Sequence, residues 1–131
     1  MRTILLVLAL IFVFGSVSQA QTAKQFTLRV NQQKVVTPEK LTVKFVSLIE
    51  DARCAEDTQC IWAGNAKIKV TVRQRNGELK TIEMNTNTGP QGDTYGHYAI
   101  RLVKLTPVPR SNIRINRNAY TATFSVSRLT R

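Results

Sequence analysis

The chain has 131 residues, with 19 Lys or Arg against 8 Asp or Glu and a formal charge of +11. That length gives room for one domain around one core. One histidine and two cysteines are too few imidazole or thiolate ligands for a transition-metal centre, so no metal and no cofactor is expected.

The N-terminus reads as a secretory signal peptide over residues 1–20. Met1-Arg2 is a short basic start, Ile4 to Phe14 is apolar and uncharged, and Ser18 and Ala20 put small residues where a signal peptidase needs them. Cleavage is expected before Gln21, leaving residues 21–131 as a single domain. The apolar run falls short of the roughly 20 residues that span a bilayer, so no membrane span is expected after cleavage. A location outside the cytosol, secreted or periplasmic, follows. Loss of Arg2 with the leader lowers the basic count from 19 to 18 and the net charge to +10.

Beyond the leader the hydrophobic period is two. Phe26, Leu28 and Val30 alternate with Thr27 and Arg29. Leu41, Val43, Phe45 and Ser47 alternate with Thr42 and Lys44. Ala66, Ile68, Val70 and Val72 alternate with lysines, Thr71 and Arg73. Tyr98, Ile100 and Leu102 follow the same rule, as do Tyr120, Ala122, Phe124 and Val126. Such segments are strands with one face on a core and one in water. Roughly six to eight short strands and no helical stripe indicate a sandwich of two antiparallel sheets or a small barrel. The expectation is all-β: an antiparallel, immunoglobulin-like β-sandwich with one disulfide.

One hairpin is legible in detail. A two-residue Asn76-Gly77 loop would set Thr81 and Glu83 against Val72 and Val70, a poor core face. A three-residue loop, Arg75 to Gly77, sets Ile82 against Val70 and Met84 against Ile68. Register follows the buried face, so the longer loop is expected, a type I turn with Gly77 left-handed in a G1 bulge. Residues 85–96 read as one long loop of turn chemistry. Thr106-Pro107-Val108-Pro109 reads as a stiff extended segment, barred from a central strand.

Cys54 and Cys60, in a chain bound for an oxidising compartment, predict a disulfide. Five residues separate them, not the two of a thiol oxidoreductase, and Asp51, Glu56 and Asp57 would raise thiol pKa values, so the bond is structural. Trp62, the one tryptophan, follows closely. Arg53 is placed to pair with Asp51 or with a group across the sheet, and Gly64 marks a bulge or close approach. Two readings follow. In one, the disulfide, Arg53 and a buried Trp62 hold an irregular corner of the sandwich. In the other, Arg53, Trp62 and Asp51 form a ligand platform, Arg for an anion and Trp for stacking. The first is favoured.

Asp51, Arg53, Cys54, Cys60, Trp62, Ala63 and Gly64 together resemble a motif of small secreted bacterial proteins of unknown function, Asp-Ser-Arg-Cys-Pro, four residues, then Cys-Val-Trp-Ala-Gly. Ala52 replaces the Ser and Ala55 the Pro, which leaves the ring less pre-stiffened. Looser matches run through Phe26 and Leu28, Leu41 to Phe45, Leu105 and Pro107. The resemblance implies a bacterial origin, a cell-envelope or secreted β-sandwich and no particular activity.

The acids cluster at Glu50, Asp51, Glu56 and Asp57, and none follows Asp93, whereas Arg101, Lys104, Arg110, Arg114, Arg117, Arg128 and Arg131 do. This asymmetry suits either anionic envelope polymers or a solvated basic surface, the latter favoured. No nucleic-acid module is present. Calcium at Glu56, Asp57 or Asp93 lacks a calcium-loop pattern. His97 has Asp93 four residues before it but no identifiable nucleophile, so no catalytic residue and no enzyme activity is expected.

The expected function is a non-enzymatic binding or accessory module that meets an envelope protein or anionic polymer through loops at one end, as a monomer. Loops 52–65 and 85–96 at opposite ends would count against a joint surface. One alternative is an inhibitor of a secreted hydrolase, a peptidase or lysozyme. Asn87-Thr88-Gly89 resembles the Asn-Pro-Thr-Thr-Gly loop of chagasin-type cysteine-peptidase inhibitors, without its Pro or that family's companion loops. A further alternative is an electrostatic binder of anionic envelope polymers.

Overall fold

The computed structural model describes Gly15 and residues 23–36 and 40–129; the rest of the expected signal peptide, its expected cleavage point and Arg131 lie outside the described residues. The strands are β1 (Lys24–Arg29), β2 (Gln33–Val36), β3 (Leu41–Asp51), β4 (Ala66–Arg73), β5 (Lys80–Asn85), β6 (Gly92–Tyr95), β7 (Tyr98–Thr106) and β8 (Thr121–Arg128), with one 3-10 turn at Arg117–Ala119. They form two four-stranded sheets, β1-β8-β7-β6 and β2-β3-β4-β5, antiparallel throughout. The chain runs as two meanders, β2 to β5 and β6 to β8, and β1 completes the first sheet beside β8. This is the all-β sandwich with one disulfide that the alternation implies.

The inward residues of the two sheets make one core. Phe45 of β3 meets Phe124 of β8 edge to face, with centroids 6.3 Å apart, and Phe26 of β1 packs on Phe124 at 5.7 Å. Around them Leu41, Val43, Ile68, Val70, Val72, Met84 and Ile100 are fully buried. Each such side chain contributes roughly 1.5–3 kcal/mol of transfer free energy.

Strict alternation fails at bulges. In β3 the register shifts between Phe45 and Ser47 and again between Leu48 and Glu50. The extra residue Val46 reverses the side-chain phase, so Leu48 is buried and Ser47, expected on the core face, is only half-buried. The outcome avoids burying a hydroxyl where a leucine fits. In β7 the shift between Leu102 and Lys104 likewise delivers Leu105 to the core.

The β4–β5 register is the expected one, with Val70 opposite Ile82 and Ile68 opposite Met84. The turn is not. Gly77 N–H donates to the Gln74 carbonyl at 2.7 Å, and the positive φ, 60°, belongs to Asn76. A left-handed residue at the third turn position is the type II pattern. Gly77 serves another need: a β-carbon there would lie 2.7 Å from the Tyr95 hydroxyl. That hydroxyl donates to Glu78 O at 2.7 Å and accepts from Gln74 N at 3.1 Å, fastening β6 to the hairpin. The segment 85–96 is therefore not one loop. Its second half is strand β6, in which Asp93 stands opposite Ile100 and Tyr95 opposite Tyr98.

Candidate functional site: a stapled loop at one end of the sandwich

Three connections gather at the end where β3 finishes: residues 52–65, 86–91 and 107–120. The stem of the first extends the β3–β4 ladder. Ala52 and Asn65 exchange backbone bonds at 2.8 and 3.3 Å, and Cys54 N–H donates to Ala63 O at 2.9 Å. Gly64 is the close approach expected: its φ is 73°, and a β-carbon would sit 2.1 Å from Ala52 O. The Cys54–Cys60 disulfide closes the loop. Within the ring, Thr58 donates to Ala55 O through its amide at 3.1 Å and its hydroxyl at 3.0 Å.

Arg53 pairs both with Asp51 and across the sheets. Its Nε and Nη2 donate to Asp51 Oδ1 and Oδ2, each at 2.8 Å. Nη1 donates to Leu105 O at 2.7 Å and Nη2 to Pro107 O at 2.8 Å. Tyr120 donates its hydroxyl to Asp51 Oδ2 at 2.8 Å. Burial alone would push the Asp51 carboxyl up; the hydrogen bonds from Arg53 and Tyr120 outweigh it and hold the group below the usual carboxylate range. Burial and the adjacent carboxylate push the Tyr120 phenol up to about 12. Only one of the five guanidinium hydrogens of Arg53 has no partner, and its side chain is 13% exposed. Arg53 and Asp51 thus hold the corner together rather than offering an anion seat.

The 107–120 connection braces the same loop from the other sheet. Glu56 N–H donates to Pro109 O at 2.8 Å, and Arg110 pairs with Glu56 at 3.2 Å. Asp57 accepts from the Ser111 amide at 2.9 Å and hydroxyl at 2.5 Å, and these bonds hold its carboxyl low. Arg117 donates to Leu48 O and Ile49 O at 2.8 and 2.9 Å, covering the β3 edge beyond the end of β2.

Asn65 ties in the third connection. Its Nδ2 donates to Asn85 Oδ1 at 2.9 Å, and its Oδ1 accepts from the amides of Asn87 and Thr88 at 3.0 and 3.1 Å. Asn87 Nδ2 returns a bond to Gly64 O at 3.1 Å. Asn85, 5% exposed, also donates through N and Nδ2 to Pro90 O, both at 2.9 Å. Asn87, Thr88 and Gly89 therefore lie exposed beside the disulfide loop, so the two loops share one end of the molecule.

Trp62 does not occupy the corner that the sequence reading gave it. It is 81% exposed and Ile61 is 93% exposed. The corner is closed instead by a polar knot, Arg53, Asp51 and Tyr120, which leaves no apolar slot for an indole. The candidates thus divide: Asp51 and Arg53 lie behind, and Trp62 with Asn87, Thr88 and Gly89 lies on the surface. His97 and Asp93 form no pair. Asp93 is held low by the Thr94 amide and by Lys80, with Lys80 Nζ 3.1 Å away. Among the described residues no group of three or more His, Cys, Asp or Glu side chains is placed to hold a metal, and no helix is long and apolar enough to cross a membrane.

Sequence reasoning missed Asn65 and Asn85 as the link between loops. Their one signal was turn chemistry shared with every neighbour in Asn85-Thr86-Asn87-Thr88. Compared with known proteins, the chain matches no family model, no curated protein and no solved structure.

Proposed function

We propose that this protein is a non-enzymatic binding module of the secreted space or cell envelope, and that it inserts Ile61 and Trp62 into an apolar pocket of a protein partner. One observation carries the reading: two adjacent large apolar side chains, 93% and 81% exposed, crown a loop held at every side. Leaving both in water is costly unless something covers them. Tryptophan is among the residues that dominate interfaces, and a pre-ordered loop loses little entropy on binding. The disulfide suits an oxidising compartment, and the motif around Cys54 and Cys60 resembles those of secreted bacterial proteins.

The test immobilises the oxidised protein, residues 21–131, and exposes it to envelope extract of its source at low and high salt. A discrete protein retained at high salt by the wild type and lost by Trp62→Ala is the expected result. Identical retention by both forms would overturn the role of the tip.

Inhibition of a secreted hydrolase is the second reading. The exposed Asn87-Thr88-Gly89 edge beside the stapled loop favours it, because two rigid loops at one end are the shape an enzyme cleft receives. Full activity of papain and of lysozyme with micromolar protein present would remove it for those classes.

A further inference from the structure

A second surface lies on the outward face of the β2-β3-β4-β5 sheet, away from the stapled loop. A groove of about 450 Å³ there is lined by Gln33, Thr42, Lys44, Thr71 and Arg73, with Val46 and Leu79 supplying its apolar part. The register fixes how the charges stand. Thr42 is opposite Arg73 and Lys44 is opposite Thr71, so Lys44 and Arg73 are diagonal neighbours, roughly 7–8 Å apart at the backbone. Gln33 stands beside Lys44 on the next strand.

Among the described residues, no carboxylate lines this groove. Among the described residues the ion pairs are Arg53–Asp51, Lys67–Glu83, Lys80–Asp93 and Arg110–Glu56, and neither Lys44 nor Arg73 belongs to one. Among the described residues the Arg73 side chain makes one bond, Nε to Gly77 O at 3.2 Å, and keeps both Nη groups for another acceptor. Two like charges placed together without a counter-charge repel, and an anion seated between them relieves the repulsion. Two hydroxyls and an amide add uncharged hydrogen-bonding groups. Val46, the bulge residue of β3 beside Lys69 and Val70, and Leu79, just before β5 on the Arg73 side and 61% exposed, offer apolar contacts at the two ends of the polar lining.

We propose that this groove binds an anionic polysaccharide, one long enough that sugar rings meet Val46 at one end and Leu79 at the other while carboxylate or sulfate groups between them meet Lys44 and Arg73. A sugar ring has an apolar face and a hydroxyl-bearing edge, which the mixed lining matches; an acidic peptide needs only the charge. This is separate from the Trp62 tip, which is at the end of the sandwich.

The test measures binding of the mature protein to heparin, to polygalacturonate, to poly-glutamate and to neutral dextran. The variant Lys44→Gln/Arg73→Gln is compared with Lys24→Gln/Arg128→Gln, which removes the same charge from β1 and β8. All four positions are off the core, so both variants fold. The groove variant is expected to lose roughly tenfold or more in affinity for heparin, polygalacturonate or both, with the control within about twofold of wild type. Sulfate or carboxylate preference then names the charged group. Trp62→Ala is expected to bind these glycans as wild type does, so this inference and the tip reading fail separately. Equal losses in the two charge variants would reduce the effect to net charge. Poly-glutamate binding as tightly as the glycans, or no glycan binding above dextran, would also overturn the proposal.

Discussion

The hydroxyl of Tyr120 donates to Oδ2 of Asp51 at 2.8 Å, joining the residue that precedes β8 in one sheet to the last residue of β3 in the other. Arg53 binds the same carboxylate and continues to the carbonyls of Leu105 and Pro107. The two sheets are therefore locked at this end by a polar knot, and the loop that carries Trp62 grows out of it.

The knot sets a pH window. Asp51 titrates below its ordinary 3.8 in the folded protein. Its contribution to stability is thus present above pH 3.8 and is lost as pH falls through the lower folded value. Tyr120 titrates at about 12 instead of 10.0. Its contribution is full below pH 10.0 and disappears as pH rises through 12. Urea midpoints measured across both flanks should fall at each, and Tyr120→Phe should flatten the alkaline fall relative to wild type. Superimposable alkaline flanks would show that the phenol does not carry that dependence.

Arg53 and Trp62 should behave oppositely on substitution. Arg53→Met leaves the 8%-exposed Asp51 side chain with Tyr120 as its one side-chain donor and strips the Leu105 and Pro107 carbonyls of a partner. A loss of about 3 kcal/mol is expected from urea denaturation. Arg53→Lys keeps the charge but not the fork, and should restore less than half of it. Trp62→Ala removes an exposed side chain and should change stability by under about 0.5 kcal/mol. A larger cost for Trp62→Ala than for Arg53→Met would mean that the indole, not the guanidinium, holds the corner.

Much of the frame is readable from alternation, because a residue such as Val70 has one side to bury and its partner Ile82 follows by register. What alternation does not carry is the single-residue bulge. Val46 looks like any strand valine, yet it moves burial from Ser47 to Leu48, a choice made by packing across the sandwich. Strand β6 was hidden for a related reason: Gly92 and Asp93 are turn residues by local chemistry, and only pairing with β7 makes them strand. The site was half legible. Cys54–Cys60 and the Arg53–Asp51 pair follow from compartment and charge. The exposure of Trp62 does not, because the corner is occupied by Tyr120, sixty-nine positions from Asp51, a contact that the local sequence around Trp62 does not reveal.

Gly64 should tolerate no side chain. A left-handed φ of 73° costs roughly 1–2 kcal/mol in any residue with a β-carbon, and here that carbon would also stand 2.1 Å from Ala52 O. Gly96 provides the control, with φ 56° but its nearest atom 3.7 Å away. Thermal or urea unfolding should show Gly96→Ala losing about 1 kcal/mol and Gly64→Ala at least about 2 kcal/mol. Equal losses would assign the whole effect to backbone conformation and none to the close approach at the stem.

The disulfide should matter more to the tip than to the sandwich. Closing a ring with a sequence separation of 6 stabilises by about 2 kcal/mol on the chain-entropy account. The stem keeps its Ala52–Asn65 and Cys54–Ala63 bonds and the Arg53 knot without it. Cys54→Ser/Cys60→Ser should therefore stay folded, at lower stability, while residues 55–62 gain freedom. Trp62, the one tryptophan, reports this directly. Its emission should be that of a solvated indole in both forms, and its fluorescence anisotropy should fall in the variant. Under the proposed tip reading, a partner retained through Trp62 should also bind the variant more weakly, since it would have to order the tip on contact. Unchanged anisotropy would show that the Glu56–Pro109 and Asp57–Ser111 braces alone order the loop, leaving the disulfide a role in stability only.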